Sequence, residues 1–141
     1  LASRDHAMTT AQAHPLLQSF AFLEHEAGFT LTEFSDTPAA FDNCVAHYTR
    51  AAGHAPPLDV RIERDRGQVF VELRWNHGPW RDKESFLERL GIPRGRHPSD
   101  AFGAWTGYHL GARAHDLRCH LPLLIQHLPE EPHTPHLRDF A

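Results

Sequence analysis

Leu58-Asp-Val-Arg-Ile-Glu-Arg-Asp-Arg-Gly-Gln-Val-Phe-Val-Glu-Leu-Arg-Trp75 spells a β-hairpin. Leu58, Val60 and Ile62 alternate with Asp59, Arg61 and Glu63, the period-two pattern of a half-buried strand. Val69, Val71, Leu73 and Trp75 repeat it after the turn. A turn centred on Arg66-Gly67 sets the register: Ile62 faces Val71, Val60 faces Leu73 and Leu58 faces Trp75. The opposite face then pairs Arg61 with Glu72 and Asp59 with Arg74. A slip of one residue would destroy both the apolar face and the charge pairs, so this register is strongly specified. An antiparallel sheet with one face in a core and one face wet follows.

Outward from the hairpin, Pro15 to Ala27 reads as a first helix, with Leu16, Phe20, Leu23 and Ala27 at three- and four-residue steps. Pro15 suits its first turn and Gly28 the position past its end. Phe29 to Phe34 reads as a strand, Ser35 to Ala40 as a turn cluster, and Asp42 to Arg50 as a second strand. Asn76 to Pro79 ends the sheet. Asp82 suits the N-cap of a short helix carrying Phe86, Leu87 and Leu90, stopped by Gly91 and Pro93. Ser99 or Asp100 caps a last helix that runs to about Leu128, and Pro122 should kink or split it. The fold expected is α+β: an N-terminal helix, an antiparallel sheet of about four strands, then C-terminal helices packed on one face.

The chain has 141 residues, enough for one domain with a real core. That domain is expected over residues 14–128. Residues 1–13 read as a tag remnant or disordered start, since Met8 is the only methionine, and residues 129–141 as a flexible Pro- and His-rich tail. No run of about 18 apolar residues occurs, so no membrane span is expected. The polar N-terminus does not read as a signal peptide. Two cysteines, Cys44 and Cys119, do not make a disulfide framework, and a cytoplasmic location with both thiols reduced is the expectation.

The net charge of −4 argues against a dedicated nucleic-acid binder. Thirteen histidines, fully protonated, would turn −4 into +9. In a chain poor in lysine and rich in Arg, Pro and Ala they fit a GC-rich coding bias, with a pH or metal role as the alternative. The motifs of serine hydrolases, zinc proteases, P-loop NTPases and dinucleotide-binding folds are absent, which argues against an enzyme. No cofactor is expected. His115 and Cys119 share a helix face and could reach one metal ion; His120 lies about 100° further round. Cys44 and His47 fall on opposite strand faces. The expectation is therefore no metal site, with a buried cysteine beside surface histidines. A Cys–His catalytic pair has no further support, and no catalytic residue is assigned.

Interaction surfaces have more support. Gly103, Gly107 and Gly111 recur at four-residue spacing in the last helix. Each costs roughly 1 kcal/mol against alanine, so the spacing asks for close backbone packing, either within the chain or in a dimer. Phe102, Trp105 and Tyr108 lie beside them and are candidates to frame a partner groove. Phe70 projects from the wet face of the hairpin opposite Glu63, and Trp80 follows in an Asn-His-Gly-Pro-Trp loop. Arg94 and Arg96 form a basic loop suited to an anion.

The order helix, antiparallel strands, helix, helix resembles YbjN-like proteins and the type III secretion chaperones that they resemble in fold. That resemblance implies a small, acidic, cytosolic homodimer that binds protein partners without catalysis. Ala27-Gly28-Phe29, Phe41-Asp42-Asn43 and Arg64-Asp-Arg-Gly-Gln-Val-Phe-Val71 also resemble segments of toxin-immunity proteins. The resemblance covers roughly residues 14–125 and carries over no functional residue. It departs from the chaperones in one respect: they place a helix between the third and fourth strands, whereas four strands run together here, unless a further strand lies beyond residue 76. The expected function is a protein-binding module, chaperone- or adaptor-like. An immunity protein and a metal-dependent regulator or small Cys/His enzyme are the alternatives.

Overall fold

The structure, a computed structural model, describes residues 14–37, 39, 43–51, 53, 55–93 and 110–130. The sheet has five antiparallel strands in the order β1 (Thr30–Thr37), β2 (Asn43–Arg50), β3 (Leu58–Asp65), β4 (Gln68–Trp75) and β5 (Arg81–Asp82). The β3–β4 register pairs Ile62 with Val71, Val60 with Leu73 and Leu58 with Trp75, and on the other face Arg61 with Glu72 and Asp59 with Arg74. Every pair expected from the sequence is in place. Arg66 and Gly67 both take positive φ in the connecting turn, and the Asn43 side chain accepts a bond from the Arg66 N–H at 2.9 Å.

Around the sheet lie α1 (Pro15–Ser19), α2 (Phe22–His25), α3 (Lys83–Leu90), α4 (Leu110–His127) and a 3-10 turn at Leu128–Glu130. The buried side chains of all the helices and of one sheet face belong to a single core, with Leu16, Phe20, Tyr48, Ile62, Leu73, Leu87, Leu117 and Leu124 at its centre. The fold is thus α+β, with the helices on one face of the sheet.

Four local expectations are corrected. The first helix is broken into α1 and α2. Bonds from Ala21 N to Gln18 O and from Leu23 N to Phe20 O tighten the backbone between them. Ser19, Phe20 and Phe22 are indifferent helix formers, and burial of Leu16, Leu17, Phe20 and Leu23 decides the path instead. Strand β1 continues to Thr37 through residues expected to turn. Pairing of Ser35, Asp36 and Thr37 with Val45, Cys44 and Asn43, and a Thr37 hydroxyl bond to the Asn43 carbonyl, override local turn preference. A fifth strand exists beyond residue 76: Arg81 and Asp82 pair with Leu73 and Glu72. Finally, α4 runs through Pro122 without splitting. Pro122 is exposed, and Leu117, Leu121, Leu124 and Leu128 on either side of it are buried in the same core, which keeps the helix continuous across it.

Asp82 caps α3 as expected, its carboxylate accepting from Ser85 N at 2.7 Å, and Gly91 ends the helix at φ 69°. The first part of the expected last helix, residues 99–109, lies outside the described residues.

Tyr48 is fully buried in the core, and its hydroxyl has no hydrogen-bond partner among the described residues. Burial above all, with the Glu24 carboxylate adding, pushes the phenol well above its ordinary pKa. A buried polar group without a partner costs roughly 1–3 kcal/mol. Tyr48→Phe is therefore expected to leave stability unchanged or raise it by about 1 kcal/mol, read as a rise in the urea midpoint at constant slope.

Candidate functional site

The wet face of the sheet carries a closed polar network. Asp59 sits at its centre, 3% exposed. Its carboxylate accepts from Thr49 Oγ1 at 2.6 Å and Arg74 Nε at 3.1 Å, and lies 3.0 Å from His47 Nε2. Beside it Arg61 donates to Glu72 at 2.6 Å. Burial by itself would push the Asp59 carboxyl up; the bonds from Thr49, His47 and Arg74 outweigh it and hold the group below the usual carboxylate range.

Trp80 closes this network from above. Asn76 and His77 both adopt positive φ, and Gly78 N bonds back to the Trp75 carbonyl at 3.0 Å. A Cβ at Gly78 would meet that same carbonyl at 3.0 Å, so a side chain there would require the turn to give by a few tenths of an ångström. The tight turn throws Trp80 back across the sheet. The guanidinium carbons of Arg61 and Arg74 lie 4.5 and 4.6 Å from its ring centroid, and the His47 ring meets it edge-on at 5.5 Å. These are cation–π distances. Trp80, a partner-binding candidate from the sequence, is half-buried by its own sheet.

A groove of about 570 Å³ opens on the far side of Trp80. It lies where β5 pairs only with Glu72 and Leu73 of β4, so that residues 68–71 of β4 pair with no strand beyond them among the described residues. Phe70, 37% exposed, forms one wall and Trp80 another. Carboxylates from Glu63, Glu72, Asp82, Glu84 and Asp116 outnumber the cations Arg81, Lys83 and Arg113 around it.

The floor is the unexpected part. Lys83, the first residue of α3, is 4% exposed, and Asp116 of α4 is 2% exposed. Lys83 Nζ lies 2.9 Å from Asp116 Oδ2, 2.9 Å from His120 Nδ1 and 3.0 Å from Glu84 Oε1. The Lys83 head thus has three polar partners within 3.0 Å, matching in number the three donors of an ammonium group. The β5–α3 junction places this cluster: Asp82 ends the strand and caps the helix, so Lys83 turns inward onto α4.

Of the residues singled out from sequence, Phe70 and Trp80 come together at the groove. Gly111 lies on the exposed side of α4 and does not line it. Phe102, Trp105, Tyr108, Gly103, Gly107, Arg94 and Arg96 lie outside the described residues. The expectations for Cys44 and His47 hold: Cys44 is buried in the core and His47 is on the wet face. The expectation of a buried cysteine beside surface histidines is corrected: Cys119, on the same helix face as His115, is exposed, and it is His120, further round α4 on the side of the buried Asp116, Leu117 and Leu121, that is buried. Lys83, Asp116 and His120 were not singled out. One signal was available: Lys83 is the only lysine in a chain that uses arginine at every other such position. Lysine offers a compact three-donor head where arginine offers a flat fork.

Among the described residues no group of three metal-ligand side chains converges, and no helix is long and apolar enough to cross a membrane. Comparison with protein-family models, with curated proteins and with solved structures returns no match.

Proposed function

We propose that this protein is a non-enzymatic protein-binding module, adaptor- or chaperone-like, acting as a cytoplasmic homodimer. The observation that carries this reading is the groove beside β4: two aromatic walls, a strand end continuing past β5, and an excess of carboxylates. The occupant it suits is an extended protein segment with basic side chains. Such a segment would lie along β4, taking affinity from main-chain bonds and specificity from alternate side chains. The carboxylates would favour cationic side chains on that segment. An immunity-type role is a special case, in which the basic segment belongs to a toxin. That Cys44 and Cys119 are not in a disulfide agrees with the cytoplasmic assignment.

The test is affinity capture from host lysate, followed by amide-shift mapping with the captured partner. The expected result is one stoichiometric protein that perturbs the amides of Val69 to Glu72, weakens with added salt, and binds at least about tenfold more weakly to Phe70→Ala, a loss of about 1.4 kcal/mol. A partner that maps elsewhere, or is indifferent to Phe70→Ala, overturns the groove. The absence of any protein partner overturns the binding-module class.

A further inference from the structure

Lys83 and Asp116 line the groove beside β4, and both are almost wholly buried. A buried ion pair is often no more stabilising than apolar side chains of similar volume. Stability alone therefore does not account for charges sunk at this point. Buried titratable groups that hold charged partners at the floor of a cleft are the mark of a reactive or binding site. The residue type narrows the chemistry. Of the 14 side chains that are lysine or arginine, a single one is lysine, and it stands here. Arginine keeps its proton at any ordinary pH; lysine can give one up and become a nucleophilic amine. A proton acceptor is at hand. His120 Nδ1 lies 2.9 Å from Lys83 Nζ and 3.6 Å from the Asp116 carboxylate, which itself lies 2.9 Å from Nζ. The groove in front of Lys83 holds about 570 Å³, room for a small organic molecule.

We propose that Lys83 captures an apolar aldehyde in this groove, reversibly, as a protonated imine. With its ring hydrogen on Nε2, His120 takes one proton from the Lys83 ammonium through Nδ1, and Asp116 stabilises the imidazolium so formed. The Nζ lone pair then bonds to the aldehyde carbon, and the carbonyl electron pair moves to oxygen. That oxygen takes a proton from Nζ and becomes a hydroxyl. His120 returns its proton to the hydroxyl, and water leaves as the nitrogen lone pair closes the C=N bond. The products are one water and an imine that keeps its positive charge beside Asp116; no oxidant or reductant takes part. Phe70, Val71, Leu117 and Trp80 supply apolar surface for an aryl or alkyl body. The excess of carboxylates around them disfavours an anionic keto acid. The adduct is a binding event without turnover, so the proposal goes beyond the binding-module reading and needs no protein partner.

The test uses the full chain, benzaldehyde as the probe, and cyanoborohydride to fix the imine as a stable amine. Lys83 is the only lysine, so peptide mass mapping of the wild-type protein separates its adduct from that of the N-terminal amine without any variant. The expected result is one benzyl group per chain on Lys83, formed at least about tenfold faster at neutral pH than on acetyl-lysine in the same solution. Denaturing urea should remove that excess. His120→Gln keeps an acceptor for Lys83 but cannot carry the proton, and should slow the labelling about tenfold while the protein stays folded. Pyruvate, normalised in the same way to acetyl-lysine, should gain less than benzaldehyde. Label on the N-terminal amine alone, or on Lys83 no faster than on acetyl-lysine, overturns the proposal. A rate that rises in urea also overturns it, because the label then comes from unfolded chains. A rate indifferent to His120→Gln overturns the proton transfer, and a larger gain for pyruvate overturns the apolar class. None of these readings changes if no protein partner exists, which separates failure here from failure of the binding module.

Discussion

Replacing Lys83 by methionine is expected to destabilise the protein by about 3–5 kcal/mol, a large part of a typical domain's stability. Methionine keeps most of the stem's volume, so the loss comes from charge rather than packing. Without the ammonium group, the buried Asp116 carboxylate loses its ion pair, and His120 Nδ1 loses its donor. Removing one partner of a buried pair is costly because the other charge stays behind in a low dielectric. The double change Lys83→Met with Asp116→Leu should therefore recover more than half of the loss. Lys83→Arg should also destabilise, because a planar fork cannot point three protons at Asp116, His120 and Glu84. Urea denaturation of the three variants reads all of this. If Lys83→Met costs under about 1 kcal/mol, the α3–α4 junction does not depend on the cluster.

The second large effect is expected at Asp59. Asp59→Ala removes the acceptor shared by His47, Thr49 and Arg74, and should cost about 2–4 kcal/mol. It also leaves Arg74 without its anion beneath the Trp80 ring, so tryptophan fluorescence should shift towards that of an exposed indole. The wild-type protein should show the matching pH dependence. The Asp59 pKa is lowered on folding. Its contribution is therefore fully present above the unfolded aspartate value of about 3.9, and is lost as pH falls through the lower folded value. Stability should fall in that acid window, and the fall should be shallower in Asp59→Asn, which has no carboxyl to titrate. An equal acid slope in the two proteins would remove Asp59 as its source.

Trp80 shows why site residues are harder to read from sequence than strands. Its position in a Pro- and Gly-containing loop made it a partner-binding candidate. Two successive left-handed residues, Asn76 and His77, instead fold it onto Arg61 and Arg74, which come from different strands. No local pattern encodes that meeting. Phe70 was legible because a strand alternates strictly: once the hairpin register is known, its face is known. Asp116 and His120 stand one helical turn apart on α4, but no local pattern links them to Lys83, 37 residues before His120. Only packing of α3 on α4 makes them neighbours.

What the sequence determined by itself was whatever depends on short-range periodicity. The β3–β4 hairpin, its register, its two cross-strand charge pairs and the caps of α3 at Asp82 and Gly91 all follow from residues a few positions apart. What the tertiary structure decided was where long-range burial or pairing outweighs a local preference of about 1 kcal/mol or less. The core split the first helix and carried α4 through Pro122, and pairing with β2 pulled Ser35 to Thr37 into a strand. The same long-range packing sank the chain's single lysine against α4, because a buried ammonium is tolerable only where acceptors converge on it, and two of its three partners, Asp116 and His120, come from that helix.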